Sequence, residues 1–151
     1  MTRILSAIIS LLLLCGIGIL AAEERVYGVS REAGKVTIGG IVVDVEMAGV
    51  AAAGKGVHIE MHIAPAAPAP KAIRVWIGSE SGRGSIKTKA AGEVGHASGY
   101  EAHVEVPSPL PDGSKIWISI EPAQGDIATG SLAFPGPNAK VHEHDHDHET
   151  K

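Results

Sequence analysis

Between Val141 and Thr150 the sequence alternates imidazole with carboxylate: His142, His144, His146 and His148 are interleaved with Glu143, Asp145, Asp147 and Glu149. Nitrogen donors of borderline softness beside hard oxygen donors suit zinc, nickel or copper(II), whereas calcium or magnesium would want mostly oxygen. Residues 139–151 therefore read as a disordered metal-binding tail, with His142, His144, His146, His148, Asp145 and Asp147 as the expected ligands. Imidazole binds metal only when neutral, so protons compete for such a site below roughly pH 6.5. The competing reading is an acidic, solubilising segment with incidental histidines.

A second group of donors stands inside the body of the chain. His58, Glu60 and His62 are spaced by two, which on a strand puts all three on one face, roughly 6.6 Å apart along the backbone. One strand rarely completes a metal site. His103, flanked by Glu101 and Glu105, would supply the missing donor if its strand lay beside the first. Against this stands the plainer reading of a solvated sheet face carrying ordinary polar residues. Met47 and Met61 would suit copper(I), but their phase assigns them to packing. Trp76 and Trp117 fall in phase with polar residues, so they are read either as an exposed pair that docks a partner or as side chains covered by a loop or an edge. His96 falls on a loop, where an isolated histidine is usually just solvated.

Catalytic machinery is not visible. Ser98 follows His96 closely, yet proximity in sequence does not assemble a nucleophile, a base and an orienting group. Gly78 to Gly84 is glycine-rich but lacks the Gly-Lys-Ser/Thr ending that would reach phosphate and magnesium, and reads as a hairpin connection. Asp44 and Glu46 are expected on any wet strand face. The chain is read as a non-enzyme.

The N-terminus says where such donors would work. Arg3 precedes an almost uninterrupted apolar run from Ile4 to Ala22, an export signal with cleavage expected after Ala22. Leu20 makes that processing site imperfect, and a run of this length also approaches the roughly 20 residues that span a bilayer, so a retained anchor facing the periplasm or exterior is the alternative. Cys15 follows Leu14, where lipid-acylation signals ordinarily have a small residue. Cleavage would leave a periplasmic or secreted chain without cysteine, in which metal could be held only by nitrogen and oxygen. Residues 23–138 are enough for one hydrophobic core. They carry ten Lys or Arg against thirteen Asp or Glu, and residues 139–151 carry two against four. This balance disfavours nucleic acid or an anionic membrane surface as partner.

The body must position these residues on strands. Ile41, Val43, Val45 and Met47 alternate with Val42, Asp44 and Glu46; Val57, Ile59, Met61 and Ile63 alternate with His58, Glu60 and His62. The same period of two returns in Ile73, Val75 and Ile77, in Ala102, Val104 and Val106, and in Ile116, Ile118 and Ile120. Turn signals separate them at Gly39-Gly40, Gly54 to Gly56, Ser79 to Gly84, Gly92 to Gly99, Pro107 to Gly113 and Pro122 to Gly125. Ala48 to Ala53 is too short for a helix, and the proline-rich run Ala64 to Pro70 is better extended, as a crossing between two sheets. The pattern predicts an all-β, antiparallel sandwich of about seven strands, with a small open barrel as the alternative.

The segment from Gly99 to Ile120, a strand, a proline-glycine turn and a second strand with Tyr100 and Trp117, resembles small exported immunoglobulin-like domains of the YtkA-like and FixH-like kind. The resemblance covers about a fifth of the chain. It implies an immunoglobulin-like fold and an accessory role in the bacterial envelope, in metal handling or oxidase assembly; it carries over no ligand. Two functions are therefore expected in competition. One is an exported accessory protein that binds or buffers a divalent transition metal, with an envelope protein or metal transporter as partner. The other is an envelope protein–protein interaction module with no specific metal role.

Overall fold

The computed structural model describes residues 30–64 and 68–135. The signal segment and the His-rich tail lie outside the described residues. Among those described there is no helix, and nine strands form two antiparallel sheets. The strands are β1 (Arg31–Ile38), β2 (Ile41–Gly49), β3 (Gly56–Ile63), β4 (Ala72–Gly78), β5 (Thr88–Lys89), β6 (Ala91–Gly92), β7 (Gly99–Glu105), β8 (Lys115–Glu121) and β9 (Ala128–Ala133). One sheet has the order β1-β2-β3-β7-β6, the other β5-β4-β8-β9. Without β1, these orders are those of the A-B-E-D and C′-C-F-G sheets of an immunoglobulin-like sandwich. β1 is an additional strand hairpinned outside the first.

Period two does the folding work. In the first sheet Val43, Val45, Met47, Val57, Ile59 and Met61 are wholly buried, and in the second Val75, Ile77, Ile116 and Ile118 are wholly buried against them. Each such side chain contributes roughly 1.5–3 kcal/mol of burial. Met47 and Met61 thus pack in the core. The chain passes from the first sheet to the second between β3 and β4.

β1 and β9 were not legible as strands from alternation. In β1 the register shifts between Glu32 and Gly34, so a bulge breaks the period before pairing resumes at Lys35–Asp44. The β1–β2 hairpin is then closed by Gly39 and Gly40, both with positive φ (57° and 83°), a two-residue turn that glycine adopts without strain. β9, Ala-Thr-Gly-Ser-Leu-Ala, has few large apolar residues. It packs against β1 at the side of the sandwich because Gly130 has no side chain: a Cβ there would lie 2.7 Å from Ile38 Cγ1.

Gly130→Val should therefore destabilise the domain by about 1–3 kcal/mol through overpacking against Val36 and Ile38. Urea denaturation measures this; an unchanged midpoint would show that the β1–β9 seam has slack.

Candidate functional site

The inner phase of β3 and β7 fixes what their outer phase presents. Val57 opposes Val104, Ile59 opposes Ala102 and Met61 opposes Tyr100 on the core side. The residues between them must then meet on the outside, and His58 stands opposite His103 while Glu60 stands opposite Glu101. Residues 45 apart in sequence are thereby adjacent. The two imidazole rings lie 4.8 Å apart between centroids, tilted by 53°, with Nδ1 to Nδ1 at 3.5 Å. On its other side, His58 Nε2 lies 3.2 Å from Glu60 Oε1 and 3.7 Å from Glu101 Oε2. The His58 side chain is only 13% exposed, whereas those of Glu60 and Glu101 are 41% and 44% exposed.

Two imidazoles and two carboxylates form a donor set suited to zinc or a neighbouring transition ion. As they stand, however, the donors surround His58 rather than a common point, and among the described residues no three His, Cys, Asp or Glu side chains are arranged round one ion. His62 is exposed on the same face of β3, opposite Asp44 on β2 and Gly99 on β7. Four residues along an extended strand separate it from His58 by roughly 13 Å, too far for both to share one ion readily. The two strands do lie side by side, as the grouping of His58 and Glu60 with His103 required; Glu101 also lies near His58, and His62 stands apart.

Register extends the acidic character of this face. Glu32 on β1, Glu46 on β2, Glu60 on β3 and Glu101 on β7 are successive cross-strand partners and form a row of four carboxylates. The Ser30 hydroxyl donates to Glu46 at 3.0 Å, and Lys35 bonds Asp44. That bond, and after it the charge of Asp44, raises the Lys35 ammonium above its ordinary value of 10.5. The pair's contribution is therefore complete below that value and fades as pH rises through the higher folded-state one. His96 is exposed on its loop, 3.8 Å from Glu93.

Trp76 and Trp117 are on the outer face of the second sheet, as their phase required, but Trp76 is only 2% exposed and is not available to dock a partner. The chain after β4 folds back over it. Trp76 Nε1 donates to the Ser79 carbonyl at 2.8 Å, the Ser85 hydroxyl donates to the Ile77 carbonyl at 2.5 Å, and Lys87 Nζ sits 4.2 Å from the Trp76 ring centroid. Gly78 permits this return: its φ is +133°, and a Cβ there would lie 2.5 Å from Ser85 Oγ. Trp117, opposite Trp76 on β8, stacks with it at 6.3 Å and 13°, and donates to the Gly78 carbonyl at 2.9 Å. It remains half-buried, with Lys115 Nζ 5.7 Å from its ring.

A depression of about 120 Å³ between Ile63, Pro68 to Pro70 and Ala97 to Tyr100 is well below the roughly 300–1,000 Å³ of ordinary small-molecule pockets. His142, His144, His146, His148, Asp145 and Asp147 lie outside the described residues. No helix among the described residues is long and apolar enough to cross a membrane. No family model, curated protein or solved structure matches the chain.

Because Trp76 is enclosed although it is on an outer face, Trp76→Ala should cost about 3–5 kcal/mol, the range of a buried aromatic, and Trp117→Ala clearly less. Equal small losses in chemical denaturation of the two variants would contradict the covered position of Trp76.

Proposed function

We propose that this chain is an exported accessory protein that captures or buffers a divalent transition ion, using the His-rich tail as collecting segment and a strand-face site on the folded domain. The observation that carries the domain part of this reading is the cross-strand pair His58–His103, with Nδ1 atoms 3.5 Å apart and two glutamates beside it. Two nitrogen donors on one ion at bond lengths of about 2.0–2.1 Å are roughly 3.4 Å apart in tetrahedral geometry, so the pair already has a usable spacing. The glutamates face His58 Nε2, so joining an ion at the Nδ1 pair would require rearrangement of these side chains, and the row of carboxylates around them raises the local concentration of cations. Export is supported by the N-terminal apolar run, and the oxygen and nitrogen chemistry of the donors suits zinc, nickel or copper(II). The resemblance to small exported immunoglobulin-like domains points to the same accessory role, with an envelope protein or transporter as the receiver.

The competing reading, an interaction module without a metal role, loses Trp76 as a contact residue and keeps Trp117 with the lysines around it.

Isothermal titration with zinc, nickel and copper(II) at pH 7.5 tests the proposal. Residues 23–151 should bind; a form ending at Asn138 should retain a part of the uptake, and His58→Ala with His103→Ala in that shorter form should abolish it. Absence of uptake by residues 23–151 would overturn the metal reading as a whole. Uptake that vanishes entirely on removal of residues 139–151 would remove the strand-face site from it.

A further inference from the structure

The two outer faces of the sandwich carry opposite charge. On the first sheet, Glu32, Asp44, Glu46, Glu60, Glu101 and Glu105 face outward together with Lys35, while Arg31 stands opposite the buried Met47. On the second, Lys115 shares the outer phase of β8 with Trp117, Lys89 stands opposite Arg74, and Lys87 reaches over Trp76. Glu121, 3.4 Å from Arg74, is the acid on the outer phase of these strands, and Glu80 belongs to the return over Trp76. A cationic sheet face around a half-buried indole is thus set back to back with an anionic one.

We infer that the cationic face of β5-β4-β8-β9 is the docking surface for this chain's own acidic segment, residues 142–149. Charge complementarity is the first argument: the segment carries Glu143, Asp145, Asp147 and Glu149, which the carboxylate row of the other sheet repels. Position is the second. The chain leaves β9 at Ala133, which is paired with Lys115, so it sets out from the edge of the cationic sheet. The eight residues from Phe134 to Val141 can span at most about 26–29 Å, and crossing from β9 to β5 takes only three strand spacings, about 14 Å. Alternation is the third. All four acids are at odd positions and all four histidines at even ones, so an extended segment turns its carboxylates to one side and its imidazoles to the other. Laid on Lys87, Lys89 and Lys115, it would spend its oxygen donors on ammonium groups and present nitrogen donors to solvent.

This sorts the ligands. In the docked form an arriving ion meets imidazole alone, which favours zinc, nickel or copper(II) over magnesium or calcium. That consequence rests on the function proposed above; the docking itself does not.

The test is therefore made without metal. A nitroxide attached at Lys151→Cys in residues 23–151 reports, by paramagnetic broadening of amide and indole NMR signals, which face the segment visits. Docking predicts selective broadening of Lys87, Lys115 and Trp117 at low salt. It should fall severalfold in about 0.5 M sodium chloride, where the screening length is only a few ångströms. In Lys89→Glu with Lys115→Glu it should be lost, and the salt titration of the parent chain decides the matter if that variant does not fold. Broadening spread evenly over both faces, broadening centred on His58 and His103, or broadening indifferent to salt would each overturn the inference. Failure of metal uptake with this broadening intact would instead remove the function and leave the docking.

Discussion

One register, that of β3 against β7, sets both the interior and the candidate site. Because side chains alternate strictly along a strand, a slip by one residue would turn Val57, Ile59 and Met61 out and His58, Glu60 and His62 in. Burying imidazoles and a carboxylate without partners would cost several kcal/mol, and exposing three fully buried apolar side chains would cost several more. The core therefore fixes the register, and the register fixes His58 opposite His103. Nothing at the histidines has to specify their meeting; it follows from packing on the other side of the sheet.

The same ladder creates an electrostatic tension. Glu32, Glu46, Glu60 and Glu101 follow one another across four strands, with neighbouring strands about 4.8 Å apart, and like charges directly opposite destabilise a sheet by a few tenths to about 1 kcal/mol per pair. Burial on the inner face is larger than this, so the fold tolerates the row. Two of its members, Glu60 and Glu101, lie near His58 Nε2. A bound cation there would act on the same tension.

Most of the fold was legible in the sequence because the large apolar residues of β2, β3, β4, β7 and β8 alternate without interruption, and the glycines and prolines between them mark turns. β1 was hidden by its bulge at Glu32 to Gly34, and β9 by its small residues, whose role is close approach rather than bulk. At the site, phase alone placed His58, Glu60 and His103 outward. It could not say that β3 and β7 are neighbours, since that pairing joins segments separated by β4, β5 and β6 in the chain. This is why His62, close in sequence, was grouped with His58, and why Glu101 was read only as a neighbour of His103. For Trp76 the sequence left exposure and cover by a loop as alternatives, and the structure has the cover. Its phase correctly assigned it to the outer face, but burial depended on the return of Ser79 to Lys87 over the ring, which strand periodicity does not encode.

Separating the two charged faces has a consequence for how a metal ion would travel over this molecule. On the docking inferred above, a metal-free acidic segment would be repelled by the face that bears His58 and His103 and attracted by the opposite one, which would keep the two donor groups apart. A divalent ion held among the imidazoles adds two positive charges to a segment with four carboxylates, weakens its attraction to Lys87, Lys89 and Lys115, and lowers the barrier to approaching Glu60 and Glu101. Both forces therefore weaken without changing sign, which would ease the approach of a loaded segment to the cross-strand pair and leave an empty one held more firmly on the lysines. No moving part is required in the sandwich itself: the fixed charges of two sheets, back to back across one core, suffice to order the encounter.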